Sequence, residues 1–217
     1  MSTQRTTQQV RRDGGPLTER GTARREALLH AARRVFESKG FIDTRVSDIV
    51  KEAKVSHGTF YTYFDTKDEV FEAVANDVAS SMLTESAVTE VPNPDFQGRV
   101  RESLRRYIDS YRHNAAILAL MDQVGTSSPA MRRMRLDVRE HHLARTQRGI
   151  TRMQALGLAD KSLDVEYTAE ALGAMMEHIC HLWFSLGHDF DTERLLEALT
   201  HVWERTLASP VLPGPDL

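Results

Sequence analysis

Residues 44–70 read TRVSDIVKEAKVSHGTFYTYFDTKDEV, and the spacing of apolar and capping groups in this run decides the fold. Asp43 or Thr44 can cap a short helix that turns Val46, Ile49, Val50 and Ala53 inward, and after a break at Lys54-Val55 the hydroxyl of Ser56 can cap a second. Two short helices meeting at a tight turn form a helix-turn-helix. In that unit the first helix crosses a DNA backbone and the second lays its N-terminal end in the major groove, where bases are distinguishable. The second helix has the composition for it. Ser56, His57, Gly58, Thr59, Tyr61, Thr62 and Tyr63 crowd it with hydroxyls and an imidazole, while Phe60 and Phe64 anchor it to the preceding helix. Thr66-Lys67-Asp68-Glu69 then forms a capping box that opens a long helix through Val70, Phe71, Val74 and Val78.

Upstream, Ala27, Leu28, Ala31, Ala32, Val35 and Phe36 recur at three- and four-residue steps from Thr22, predicting an amphipathic helix that ends at Gly40. Residues 1–21 are polar, and Gly14-Gly15-Pro16 interrupts any helix, so they read as a flexible arm. Downstream, cap and proline signals predict helices from Asn93-Pro94 to about His113, from Asn114 to about Val124, from Ser128-Pro129 to Leu156, from Asp164 to Leu186 and from Thr192 to Leu207. Gly157 closes the third of these, and Pro210, Pro213 and Pro215 mark a tail. No β alternation appears. The expectation is an all-α chain with an arm (1–21), a three-helix DNA-binding domain (22–67), a helical ligand-binding and dimerisation domain (68–209) and a flexible tail (210–217).

The totals agree with two lobes of different character. Up to Lys67 there are thirteen Lys and Arg against eight Asp and Glu, and the remaining fifteen face twenty-three, so a lobe at +5 precedes one at −8 within a net charge of −3. Because screening confines phosphate attraction to about 10 Å, only the basic lobe suits a nucleic acid. One cysteine, Cys180, forms no intramolecular disulfide and suits a reducing bacterial cytoplasm. No stretch approaches the roughly 20 apolar residues of a membrane span, and the N-terminus has no secretory apolar run.

Residues 22–75 resemble the tetracycline-repressor (TetR) family. The resemblance rests on FESKGF at the end of the first helix, on Thr44 and Asp48-Ile49, and on Val55-Ser56-x-Gly58-Thr59-Phe60-Tyr61-x-Tyr63-Phe64-x-x-Lys67-x-Glu69. It implies that Ser56, His57, Gly58, Thr59 and Thr62 face base edges, that Tyr61, Tyr63 and Lys67 clamp phosphates, and that Thr44 and Ser47 add contacts from the first short helix. Two positions depart from the family pattern. Lys54 stands where glycine is usual, so it adopts a left-handed conformation or the turn differs. Arg45 replaces a threonine and either touches DNA or pairs with an acid. Arg11, Arg12 and Arg20 of the arm either enter a minor groove or stay solvated.

The resemblance also implies a double-stranded, palindromic operator, a homodimer, and release from the operator by a hydrophobic or amphipathic effector. One head alone makes too few contacts for tight binding. In the penultimate helix Met176 and Ile179, and in the last Leu196, Leu199 and Trp203, are candidates for the dimer surface, with burial in the chain's own core as the alternative. Tyr107, Tyr111, Leu118, Met121, Met153, Met175, His178, Trp183 and Phe184 are candidates to line an adaptable cavity, though a methionine stripe also suits a core. The competing reading is a helical metal-binding protein or enzyme centred on His178, Cys180 and His181, in which His178 and His181 share a helix face and a third donor comes from elsewhere, such as His141 or His142. No HExxH pattern, nucleophile elbow or phosphate loop accompanies them, so no catalytic residue, metal or cofactor is expected.

Overall fold

Thr18 fixes where the first helix begins: its hydroxyl accepts a hydrogen bond from the Gly21 amide at 3.2 Å, so α1 (Glu19–Asp43) starts a turn earlier than Thr22. The structure, a computed structural model, describes residues 18–85 and 96–208, with side chains over 18–82 and 98–208. The body of the expected arm, with Arg11 and Arg12, the Asn93-Pro94 signal and the tail all lie outside these residues. Eight helices are present among them: α1, α2 (Val46–Ala53), α3 (His57–Tyr63), α4 (Lys67–Glu85), α5 (Phe96–Gly125), α6 (Pro129–Ala155), α7 (Val165–Phe184) and α8 (Thr192–Leu207).

Sequence reasoning predicted nine. Asn114, expected to cap a new helix, is buried inside α5 and donates its side-chain amide to the Ser110 carbonyl at 2.9 Å. With its donor satisfied one turn back and no proline or glycine nearby, nothing interrupts the run. The first short helix is capped at Arg45 and not at Asp43 or Thr44, whereas the caps of α4, α7 and α8 act as read. Thr66 accepts from the Glu69 amide at 3.1 Å while Glu69 accepts from the Asp65 amide at 2.6 Å, and Asp164 and Asp191 accept from amides of the first turns of α7 and α8. Gly157, at φ 71°, ends α6 while the Leu158 amide reaches back to the Met153 carbonyl at 2.8 Å.

The chain forms two compact units. The first gathers residues up to Val78 with Leu120–Arg132, and the second gathers Ala79–Ala119 with Arg133 onward. In the first, Leu28, Ala31, Val35 and Phe36 of α1 bury against the helix-turn-helix and the start of α4, and Phe36 and Phe71 meet edge to face at 5.0 Å. In the second, Ile150, Ala159, Ala169, Leu172 and Leu207 form a core with Met153, Met175 and Trp203 packed against it. Ion pairs join its helices: Arg101 and Arg105 to Glu193 at 2.6 and 2.8 Å, and Arg135 to Glu177 at 2.6 Å.

Candidate nucleic-acid interface and ligand cavity

Helix α3 is short, and its two faces have separate jobs. Phe60 and Phe64 are buried, their rings 5.8 Å apart, with the Arg25 guanidinium 5.3 Å from the Phe64 ring, which fixes the helix on α1. The opposite face presents His57, Gly58, Tyr61 and Thr62 to solvent, with Thr59 and Tyr63 half-buried. Ser56 caps the helix, accepting from the Thr59 amide at 3.1 Å and meeting the Thr59 hydroxyl at 3.0 Å. The Thr62 hydroxyl donates to the Gly58 carbonyl at 3.0 Å. These bonds hold the hydroxyls of Ser56, Thr59 and Thr62 in place. Gly58 is helical, and a Cβ built there meets only Ser56 Oγ at 3.7 Å, so the fold itself does not demand glycine.

The turn before α3 takes the first of its two alternatives. Lys54 adopts φ 55° and ψ 42°, the single non-glycine residue at positive φ among those described, and its amide donates to Lys51 at 3.2 Å while the Val55 amide reaches Val50 at 3.0 Å. A β-carbon in this region costs about 1 kcal/mol. In α2, Asp48 accepts from the Arg45 amide at 3.0 Å and from Lys39 Nζ at 2.8 Å, which together hold its carboxyl below the usual range. Ser47 and the Arg45 side chain are exposed, and no acid lies within ion-pair distance of Arg45 among the described residues.

Two residues expected at phosphates make hydrogen bonds inside the free protein. Thr44 is 2% exposed and donates its hydroxyl to the Gly40 carbonyl at 2.6 Å. Lys67 donates to the Phe41 and Ile42 carbonyls at 2.7 and 3.2 Å and lies 4.4 Å from the Phe41 ring. The cause is Gly40, whose φ of 76° breaks α1 and leaves carbonyls at its end unsatisfied. Thr44 and Lys67 close that end. In the free chain both side chains support the interface from beneath.

The family model for bacterial regulatory proteins of the tetR family matches residues 28–74. YdgC, an HTH-type transcriptional regulator of Bacillus subtilis, is 30% identical over 181 residues, covering 79% of this chain and 86% of YdgC. The chain is a TetR-family transcriptional regulator. The HTH-type transcriptional regulator EthR of Mycolicibacterium smegmatis is 26% identical over 188 residues, covering 84% of this chain and 85% of EthR. Among solved structures, GusR of Salmonella enterica superposes with a TM-score of 0.69 at 22% identity, covering 88% of this chain and 98% of GusR. FadR of Bacillus subtilis, solved in complex with stearoyl-CoA, gives 0.70 at 15% identity, covering 84% and 98%. The last two share the fold.

In this TetR-family regulator the second unit holds two adjoining cavities, of about 70 Å³ and 380 Å³, whose walls share Ser103, Leu104, Arg145, Thr146 and Trp203. Tyr107 and Tyr111 line the smaller and Met153 the larger. The other expected lining residues are elsewhere. Leu118 and Met121 are fully buried, Met175 packs on the core, His178 is exposed, and Trp183 stacks on Phe184 at 4.5 Å with the Arg112 guanidinium 5.3 Å from each ring. Periodicity could not separate them, because a core and a cavity wall draw on the same residue types. The sequence did not place Arg135, Arg139, His142 and Arg145 together in a cavity wall, and it gave Arg145 no role. Their signal was a polar stripe at three- and four-residue steps on the face of α6 that Val138 and Ile150 turn inward.

Of the expected dimer residues, Met176, Leu196 and Leu199 are at most 3% exposed in the single chain, so the core takes them. Trp203 lines both cavities, and Ile179 is half-buried. For the metal reading, Cys180 is buried with its thiol pushed up to about 12, chiefly by burial, and no group of three His, Cys, Asp or Glu suited to a metal exists among the described residues. That alternative has no support.

Proposed function

We propose that this regulator binds a palindromic operator as a homodimer, reading bases with α3, and that a hydrophobic or amphipathic small molecule in the second unit's cavities releases it. The observation that carries the reading is the outward face of α3, where His57, Gly58, Tyr61 and Thr62 stand exposed on a helix that Phe60 and Phe64 hold rigid. His57 is assigned to a base acceptor, Thr59 and Thr62 to thymine methyls, and Tyr61, Tyr63, Ser47 and Arg45 to phosphates. Arg45 takes the DNA alternative because its exposed guanidinium makes no close ion pair among the described residues, Asp48 being bound to Lys39. The dimer surface is assigned to outward residues of the last two helices, Tyr167, Ala171 and Ala174 of α7 and Ala198 and Val202 of α8, all exposed.

Helix α4 begins in the first unit and supplies Met82 to the wall of the smaller cavity in the second, so an occupant that displaces Met82 acts on the helix leaving the reading head. By linkage, effector and operator then weaken each other's binding by the same factor. The stearoyl-CoA bound to FadR, which shares this fold, supports a cavity ligand. The relatives are named as regulators, and the chain acts as one rather than as an enzyme, in the cytoplasm beside the DNA it controls. No described helix is long and apolar enough to cross a membrane.

The test is selection of duplexes from a random pool at low salt, repeated with His57→Ala. The wild type should enrich a two-fold symmetric sequence whose binding weakens steeply with salt, and the variant a sequence altered at one position in each half. A protein that enriches no duplex refutes the reading.

A further inference from the structure

The smaller cavity carries an unbalanced charge and orphaned donors. Three guanidinium groups, of Arg135, Arg139 and Arg145, line it. Arg135 pairs with Glu177 at 2.6 Å, and Arg139 pairs with Glu170 at 2.5 Å and reaches Glu177 at 3.5 Å. Two carboxylates thus neutralise two of the three. Arg145, half-buried, has no carboxylate or carbonyl within hydrogen-bond distance among the described residues, and its neighbours Arg106 and Arg148 repel it. Burial first, and those two cations second, lower its pKa. A guanidinium taken partly out of water without a counter-charge is costly, and a planar carboxylate is the group its paired donors fit.

Two further atoms are stranded in the same wall. Trp203 Nε1 and His142 Nε2 are buried and lack hydrogen-bond partners among the described residues. An indole nitrogen only donates, and a neutral imidazole has one donor to offer. Burial, followed by repulsion from His141, Arg145 and Arg135, pushes His142 down to about 4, so it is neutral at physiological pH. Buried polar groups are paired in the great majority of cases, and two orphans on one small recess beside a free guanidinium call for a common acceptor. The larger cavity, within the roughly 300–1,000 Å³ range of small-molecule sites, continues from this junction along Leu104, Ile150, Met153, Leu156 and Leu207.

We infer that the effector is an amphipathic monocarboxylate whose carboxylate is held by Arg145, Trp203 Nε1 and His142 Nε2 while its aliphatic tail fills the larger cavity. The inference rests on the ligand-responsive reading and gives that site its ligand class. Charge selects the head, since one anion balances the third guanidinium. The tail follows the aliphatic side chains of Leu104, Ile150, Met153, Leu156 and Leu207 along the larger cavity.

The experiment titrates the full chain with decanoate and, separately, with decanol by calorimetry, for the wild type and for Arg145→Met. In parallel, the indole N–H resonance of Trp203 is followed, assigned with Trp183→Phe. Decanoate should bind the wild type at least tenfold more tightly than decanol and move the Trp203 resonance downfield. Arg145→Met should lose at least tenfold for decanoate and less than twofold for decanol, whose retained binding shows that the variant is folded. Undiminished decanoate binding in Arg145→Met, parallel loss of both probes, or no uptake of decanoate by a wild type that still binds its duplex would overturn the assignment. Failure of the wild type to bind any duplex, with decanoate still bound through Arg145, sinks the regulatory reading instead and leaves the carboxylate site standing.

Discussion

Gly58→Ala separates what α3 needs to fold from what it needs to bind. The added methyl meets nothing closer than Ser56 Oγ at 3.7 Å, an ordinary van der Waals distance, and the residue has an unstrained helical backbone. Replacing glycine with alanine inside a helix is worth about 0.5–1 kcal/mol through the unfolded chain's lost freedom, which for a protein of this size raises the melting temperature by about 1–4 °C. If the glycine persists because a duplex backbone approaches α3 at that point, the same methyl must push the helix out of the groove. A penalty of about 1.4 kcal/mol, or tenfold in Kd, is then the minimum expected. The assay pairs calorimetric melting of the free protein with fluorescence anisotropy on the selected operator. The signature is opposite signs: a more stable protein that binds more weakly. An alanine variant that melts higher and binds the operator as tightly as the wild type would refute the assignment of this face to DNA.

Lys67→Met should lower the melting temperature, since two hydrogen bonds to the Phe41 and Ile42 carbonyls, each worth about 0.5–1.5 kcal/mol, disappear, yet leave the slope of log K against log salt unchanged. A slope reduced by about one would return Lys67 to the phosphates. His142, held down to about 4 against an unfolded value of roughly 6.5, binds fewer protons folded than unfolded. Stability is therefore full above pH 6.5 and falls by up to about 3 kcal/mol as pH drops from 6.5 to 4, and His142→Gln should flatten that window in melting curves against pH. At Gly173 an added Cβ would lie 2.8 Å from Leu143 Cδ2. Gly173→Ala should therefore drive Leu143 into the smaller cavity, cost about 1–3 kcal/mol in chemical denaturation, and weaken decanoate measurably in the same titration used for Arg145.

What the sequence disclosed followed from how local each signal was. Caps at Ser56, Thr66, Asp164 and Asp191 act through amides two or three residues away, so they could be read without any fold. Asn114 has the same residue type but spends its amide one turn backward, a choice that turns on burial and leaves no mark in the neighbouring residues. The bond of Lys67 to the carbonyl of Phe41 was invisible in the sequence because the two lie 26 residues apart. The apolar faces of α7 and α8 were visible, whereas the division between core and partner surface was not. Met176, Leu196 and Leu199 look no different in sequence from residues that a second chain would cover. Nothing in the sequence tells which arginines of α6 find a counter-charge, and only packing against α7 shows Arg135 and Arg139 neutralised and Arg145 left over.

The left-handed lysine at position 54 sets two selective pressures against each other. Glycine there would relieve about 1 kcal/mol of backbone strain, so Lys54→Gly should melt higher, and a screen for heat resistance alone would favour it. The exposed ammonium, two residues before the cap of the reading helix, would be lost with it, lowering the positive charge that draws the reading head to a duplex by one. Occupancy of the operator in a salty cell and endurance of the free polypeptide thus favour different residues at this corner.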